Sequence, residues 1–286
     1  FGGENGSFDS SLGVVSTAEY GKVFISVRNN LGTNLTEVEK TGLVSQLGKF
    51  TVASITPVIV DPDTSSNYDI SSFLPLFDGI AAVSYAVIWT IVTFTTNDLP
   101  NHTSPYWPSN NPLHEAYNGT NANFNLNPNR ISTQNITFTI SLNPSEAANK
   151  EATNLGPIGI SRNGVVFFNQ YAGPNNQPLT NEINSFDQWL GHPQNTGKYH
   201  YHIEPTYLIN QFGDDSFLGL LADGFPVYWP LEYGMTITNS DLDEYHVHVS
   251  ATEDFPNGIY HYHVTPNEDP YLNGNGYFGT PGNITQ

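Results

Sequence analysis

The chain has 286 residues, with 8 basic and 27 acidic side chains and a formal charge of −19, a balance that repels nucleic acid and anionic membrane surfaces. It has no cysteine, which excludes a disulfide framework and thiolate chemistry. Charged residues make up only 12% and Asn, Gly, Pro, Thr and Tyr are abundant, so turn formers and β formers together predict an all-β protein rich in loops. The chain begins at Phe1 with no apolar signal core, as expected of a mature secreted chain whose targeting segment has been removed.

In chain order, the first 20 residues are Gly-rich, Ser-rich and acidic and predict a frayed tail. Lys22 to Arg28 alternates as a strand and stops at Asn29-Asn30-Leu31-Gly32. Thr36 to Leu47 could hold a short helix, and Lys49 to Val60 reads as a strand whose Pro57 suits a sheet edge or a bulge. Gly79 to Thr96 is the most apolar run. It approaches the length of a membrane span, but it is β-branched, carries Ser84, Thr90, Thr93 and Thr95, and lacks flanking basic anchors, so buried strand is expected and no span. Asn97 to Arg130 reads as a long polar loop of the kind usually kept for function, with His102 and His114 as candidate contributors to a site. Ile131 to Leu142 alternates as a strand, and Ser145 to Ala152 suggests a turn or two of helix. Sequons stand at Asn5, Asn34, Asn101, Asn118, Asn135 and Asn283, about as many as so Asn-, Ser- and Thr-rich a chain holds by chance, and they are possible sites for N-linked glycans.

Between Gly159 and His263 the sequence is written twice. Gly159 to Phe168 and Gly219 to Tyr228 each read strand, turn, strand around Asn163-Gly164 and Asp223-Gly224, dipeptides suited to a type I′ hairpin turn. Each is followed by an aspartate, a histidine five residues on, and a Tyr-His-Tyr-His run: Asp187, His192, His200 and His202 in the first copy, Asp243, His248, His261 and His263 in the second. The order is kept while one loop differs in length, the mark of an internal duplication.

Side chains alternate across a strand, so His200 and His202 share one face, as do His261 and His263, with the tyrosines on the other. Paired copies would bring the four imidazoles together, with His192, His246 and His248 near them. Clustered imidazoles are costly as cations and natural as metal ligands, and without thiolates they favour copper, zinc or nickel over calcium or magnesium. Asp187 and Asp243 are candidate ligands or candidate orienters of a ligand's second ring nitrogen.

These motifs carry a family resemblance. Asn101-His102, Pro105-Tyr106-Trp107, Leu155 to Gly159, Asn163 to Asn169, Gly191-His192-Pro193, both Tyr-His-Tyr-His runs, Asp223 to Tyr228 and Gly276 to Pro281 occur in the order of the YHYH domain family of secreted proteins, which the segment from about Asn97 to Pro281 resembles. The resemblance implies an extracytoplasmic, β-rich, metal-binding domain. The pattern departs at Tyr245-His246, where the family is expected to carry Gly or Asn before its histidine.

The expectation is therefore an antiparallel sandwich or jelly-roll built on the duplication over residues 96–286, preceded by a β extension over 1–95 that serves assembly. Its function is that of a secreted structural subunit, homo-oligomeric or filament-forming, with a copper or zinc site. The alternative is an extracellular copper- or zinc-dependent enzyme, oxidative or hydrolytic; the sequence contains no Gly-x-Ser-x-Gly, phosphate-binding loop or His-Glu-x-x-His.

Overall fold

The computed structural model describes residues 14–19, 22–27, 68–213, 216–232, 234–252, 254–266 and 269–286. The expected helix at Thr36 to Leu47, the strand at Lys49 to Val60, and the sequons at Asn5 and Asn34 lie outside them. The chain forms two compact units, Phe1–Asp63 and Thr64–Gln286. In the first, β1 (Val14–Glu19) and β2 (Lys22–Val27) make an antiparallel hairpin. Among the described residues, no helix is long and apolar enough to cross a membrane.

The second unit opens with a 3-10 helix, Ile70–Phe77, which buries Ile70, Phe73, Leu74 and Phe77. The apolar run then folds as a hairpin, β3 (Val83–Ile88) and β4 (Ile91–Thr96), turning at Trp89 and Thr90. Only β4 alternates into the core, through Val92, Phe94 and Thr96. The hairpin tip stands in solvent, with Ile88 68% and Trp89 92% exposed, where the sequence predicted burial. The strand β5 (Ile136–Ser141) pairs with β4, so β3 and β4, grouped by sequence with the N-terminal extension, belong to the second unit.

Glu146–Glu151, expected to be helical, is instead strand β6. Helix propensity is a weak prior. Here it yields to pairing with a strand near the C-terminus, Tyr277–Gly279, and to the Lys150 ammonium, which donates 2.8 Å to the Phe278 carbonyl.

The duplicated region gives matching elements in matching order. The first copy contains β7 (Pro157–Ser161), β8 (Val166–Phe168), a small hairpin of β9 (Tyr171–Ala172) and β10 (Gln177–Pro178), a 3-10 turn at Glu182–Ser185, β11 (Gly191–Pro193) and β12 (Tyr199–Tyr201). A helix that the sequence reading did not include, α1 (Thr206–Phe212), joins the copies. The second copy follows with β13 (Phe217–Leu221), β14 (Pro226–Tyr228), the hairpin of β15 (Leu231–Glu232) and β16 (Met235–Thr236), a 3-10 turn at Asn239–Asp241, β17 (Val247–Ser250) and β18 (Ile259–His263). The chain closes with β19 (Tyr277–Gly279) and β20 (Asn283–Thr285). A four-stranded sheet of order β20-β5-β4-β3 accompanies an eight-stranded sheet of order β11-β12-β8-β7-β13-β14-β18-β17.

That eight-stranded order is symmetric about its centre. There, β7 and β13 run antiparallel with Ile160 opposite Leu220, Gly159 opposite Leu221 and Ser161 opposite Gly219. Ile160 and Leu220 hold the same place in the two copies, so a pseudo-two-fold axis passes between them. The sheet is mixed rather than wholly antiparallel, because β8 pairs in parallel with β12 and β14 with β18. In each copy the chain leaves for the small hairpin and re-enters in the same direction.

The hairpin turns also differ from expectation. Gly164 lies at φ +89° and Gly224 at +86°, while Asn163 and Asp223 keep negative φ. The Gly164 N–H donates to the Ser161 carbonyl and the Gly224 N–H to that of Leu221, while the Ser161 and Leu221 N–H groups donate to Val165 and Phe225. This is the three-residue loop of a type I turn closed by a left-handed glycine, not the two-residue type I′ turn. It frees the preceding side chain for tertiary work: Asn163 donates to the Tyr201 hydroxyl, and Asp223 accepts from that of Tyr262 at 2.7 Å.

Candidate metal centres

Strand alternation places the tyrosines of each Tyr-His-Tyr-His run in the core and the histidines on the opposite face. Tyr199, Tyr201 and Tyr262 are fully buried. The histidines gather into two groups, one per copy: His192, His200 and His202, and His248, His261 and His263 with Glu232. Antiparallel register sets His192 beside His200 and His248 beside His261. The expected convergence of four imidazoles does not occur, because the copies join through β7 and β13 and leave β12 and β18 five strand spacings apart, about 24 Å along the sheet.

In five of the six grouped imidazoles the second ring nitrogen shows where the proton lies. In the first group, His200 Nδ1 donates to the Lys198 carbonyl at 3.1 Å and His202 Nδ1 to that of Asn169 at 2.5 Å. His192 Nδ1 lies 2.7 Å from Ser185 Oγ, whose own proton goes to the Glu182 carbonyl, so the imidazole is the donor here too. The second group repeats the device, with His261 Nδ1 donating to Ile259 and His263 Nδ1 to Trp229. These five neutral rings are thereby fixed as the tautomer with a bare lone pair on Nε2.

Those bare nitrogens face one another. His200 Nε2 lies 3.0 Å from both His192 Nε2 and His202 Nε2. In the second group, His261–His263, His248–His261 and His248–His263 separations are 3.0, 3.1 and 3.1 Å. Glu232 Oε1 caps that triangle at 2.7 Å from His261, 3.2 Å from His263 and 3.3 Å from His248. Converging lone pairs repel unless a cation lies between them, and protonation is opposed here: burial pushes His202 down to about 4 and His263 to about 3, and lowers His192, His200 and His261. Nitrogen and oxygen ligands arranged tetrahedrally around zinc at about 2.05 Å stand about 3.3 Å apart, so these donor sets suit a transition-metal ion in spacing as well as in chemistry.

The other candidates lie outside both groups. Asp187 accepts from Ser104 Oγ at 2.5 Å, from the Tyr199 hydroxyl at 2.9 Å and from the Trp189 N–H at 2.8 Å, and burial raises its pKa to about 6. Asp243 accepts from the Tyr245 and Val247 N–H groups. Both open the same turn, in which the Asp187 N–H reaches the Gly191 carbonyl and the Asp243 N–H that of Val247. Their spacing to His192 and His248 thus reflects entry into β11 and β17. His246 donates from Nδ1 to the His263 carbonyl and meets Asn239 Oδ1 and Thr265 Oγ1 through Nε2. His114 forms an isolated bridge with Ser104. Glu232, Glu182 and Ser185 were not among the sequence candidates, and Glu232 is one of 27 acidic residues with no spacing signal of its own.

His102 is a buried structural histidine, donating to the Thr103 carbonyl and accepting from the Tyr201 hydroxyl at 3.1 Å. Burial lowers it to about 4 from an ordinary 6.5. The unfolded chain therefore gains a proton first on acidification, and the stability this neutral ring contributes is present above pH 6.5 and lost as pH falls through about 4. Chemical denaturation at pH 7 and pH 4 is expected to show a fall in stability smaller by about 3 kcal/mol in His102→Gln than in the parent. An equal fall in both would contradict this.

The geometry defines the class: a β-sheet protein made by duplication, with one histidine group in each half. Residues 137–236, which hold the first histidine group, match the family model described as YHYH protein. Residues 12–60, within the first unit, are similar to the family described as baseplate structural protein gp6, C-terminal domain I. No curated protein and no solved structure matches the chain.

Proposed function

We propose that the chain is a secreted, non-enzymatic structural subunit whose duplicated YHYH sheet is stiffened by two transition-metal ions, copper or zinc, and whose N-terminal unit joins copies into a filament. The observation that carries the metal reading is the convergence of bare Nε2 atoms at 3.0–3.1 Å in both halves. An ion at either site would tie an outer strand pair together, β11 to β12 or β17 to β18, and the second would add β15 through Glu232. The assembly reading rests on the likeness of residues 12–60 to a baseplate structural protein and on the β1–β2 hairpin, a two-stranded sheet among the described residues of a kind that strand addition could extend. The described sequon asparagines, Asn101, Asn118, Asn135 and Asn283, are all exposed and are the proposed acceptors for glycans.

Light scattering on the full chain and on a chain lacking residues 1–20 tests the assembly role. Polymer from the full chain and monomer from the shortened one is the expected result. A full chain that stays monomeric at high concentration, or a shortened one that still polymerises, contradicts it. A second reading, an extracellular copper- or zinc-dependent enzyme, is favoured by one observation: the first histidine group has only three protein donors.

A further inference from the structure

The two histidine groups repeat the same three-histidine arrangement and differ in one protein donor. Pseudo-symmetry superposes β9 on β15, and there Ala172 stands where the second copy has Glu232. The second group thus has four protein donors, the complement of a closed site, and the first has three. Glu182, beside His192, and Ala172 also line a cleft that none of the three histidines lines. Ala172, Gly173, Gln177, Thr180, Asn181 and Glu182 line this cleft of about 410 Å³, whose only charged group among them is Glu182. Glu182 Oε1 lies 3.5 Å from His192 Nε2, with its side chain 35% exposed while that of His192 is 3% exposed. Glu182 is not grouped with the three histidine donors and stands beside His192.

Resting on the metal reading above, we infer that the two centres have divided their roles: the Glu232 centre is closed and structural, whereas the His192–His200–His202 centre binds an outside ligand, a small polar molecule with an oxygen or nitrogen donor that enters by the cleft past Glu182. The uncharged, hydrogen-bonding walls supplied by Gln177, Thr180 and Asn181 suit a hydroxyl or amide group, and the Glu182 carboxylate is placed to accept a hydrogen bond from it.

The test is azide titration of the full chain loaded with cobalt(II), followed by visible absorption, with bound cobalt counted by mass spectrometry. Two cobalt ions and one azide per chain are expected, with two azides in Glu232→Ala and none in Ala172→Glu. Two ions with no azide, or with two in the parent, would overturn the division of roles and leave the metal reading intact. No azide in the parent but one in Glu182→Ala would also overturn it, by showing Glu182 to be the fourth ligand. Failure to hold cobalt at either centre would refute the metal reading itself. The parent chain alone decides the inference if the buried charge of Ala172→Glu prevents folding.

Discussion

Removal of divalent ions with a chelator is expected to lower the melting temperature of the second unit by on the order of 20 °C. A ligand that binds only the folded state stabilises it by about 4 kcal/mol when present at a thousand times its dissociation constant, and a unit of this size shifts by roughly 2–4 °C per kcal/mol. On the proposed metal reading, two such sites would act together. The donors that would hold the ions already stand close together inside the protein, with Glu232 Oε1 2.7 Å from His261 Nε2. Adding copper or zinc back should restore the transition, which scanning calorimetry with and without chelator would show. A melting temperature indifferent to chelator would remove the stabilising role of the centres.

The second large effect is expected at the joint between the copies. A Cβ placed on Gly219 would lie 2.3 Å from the Ile160 carbonyl oxygen, and one on Gly159 would lie 2.5 Å from that of Leu220. The two glycines are symmetry mates, each making room for the partner strand's backbone across the pseudo-two-fold axis. Backbone cannot swing aside as a side chain can, so Gly219→Val should cost about 3 kcal/mol or more and lower the melting temperature by about 10 °C. Gly79, at φ +76° with open space around it, is the control: Gly79→Ala should cost only the left-handed conformational preference, about 1 kcal/mol. Equal losses at the two positions would show that close approach at the joint is not what Gly219 provides.

The duplication was legible because it is written in residue order, and strand alternation sorted tyrosine from histidine before any coordinate was needed. The number of sites was not legible, since it depends on which strands meet. The copies join through Ile160 and Leu220, and that pairing keeps the histidine groups apart. The constant spacing of Asp187 and Asp243 to His192 and His248 has a related reason, since it is the spacing of a turn. Glu232 reaches its site only because β15 folds back beside β18, a tertiary event with no local sequence mark. Helix formers in Glu146–Glu151 lost to strand pairing with β19, and the apolar Trp89 turn is exposed because it extends beyond the sheet that buries Val92 and Phe94.

The central claim is that each half of the duplicated sheet holds its own metal ion. Anomalous diffraction from crystals of protein purified without chelator, collected on either side of the copper and zinc absorption edges, tests it most directly. Two anomalous peaks per chain are predicted, one among His192, His200 and His202 and one among Glu232, His248, His261 and His263. Density at neither group, or a single ion held elsewhere by Asp187, Asp243 or His246, would contradict it.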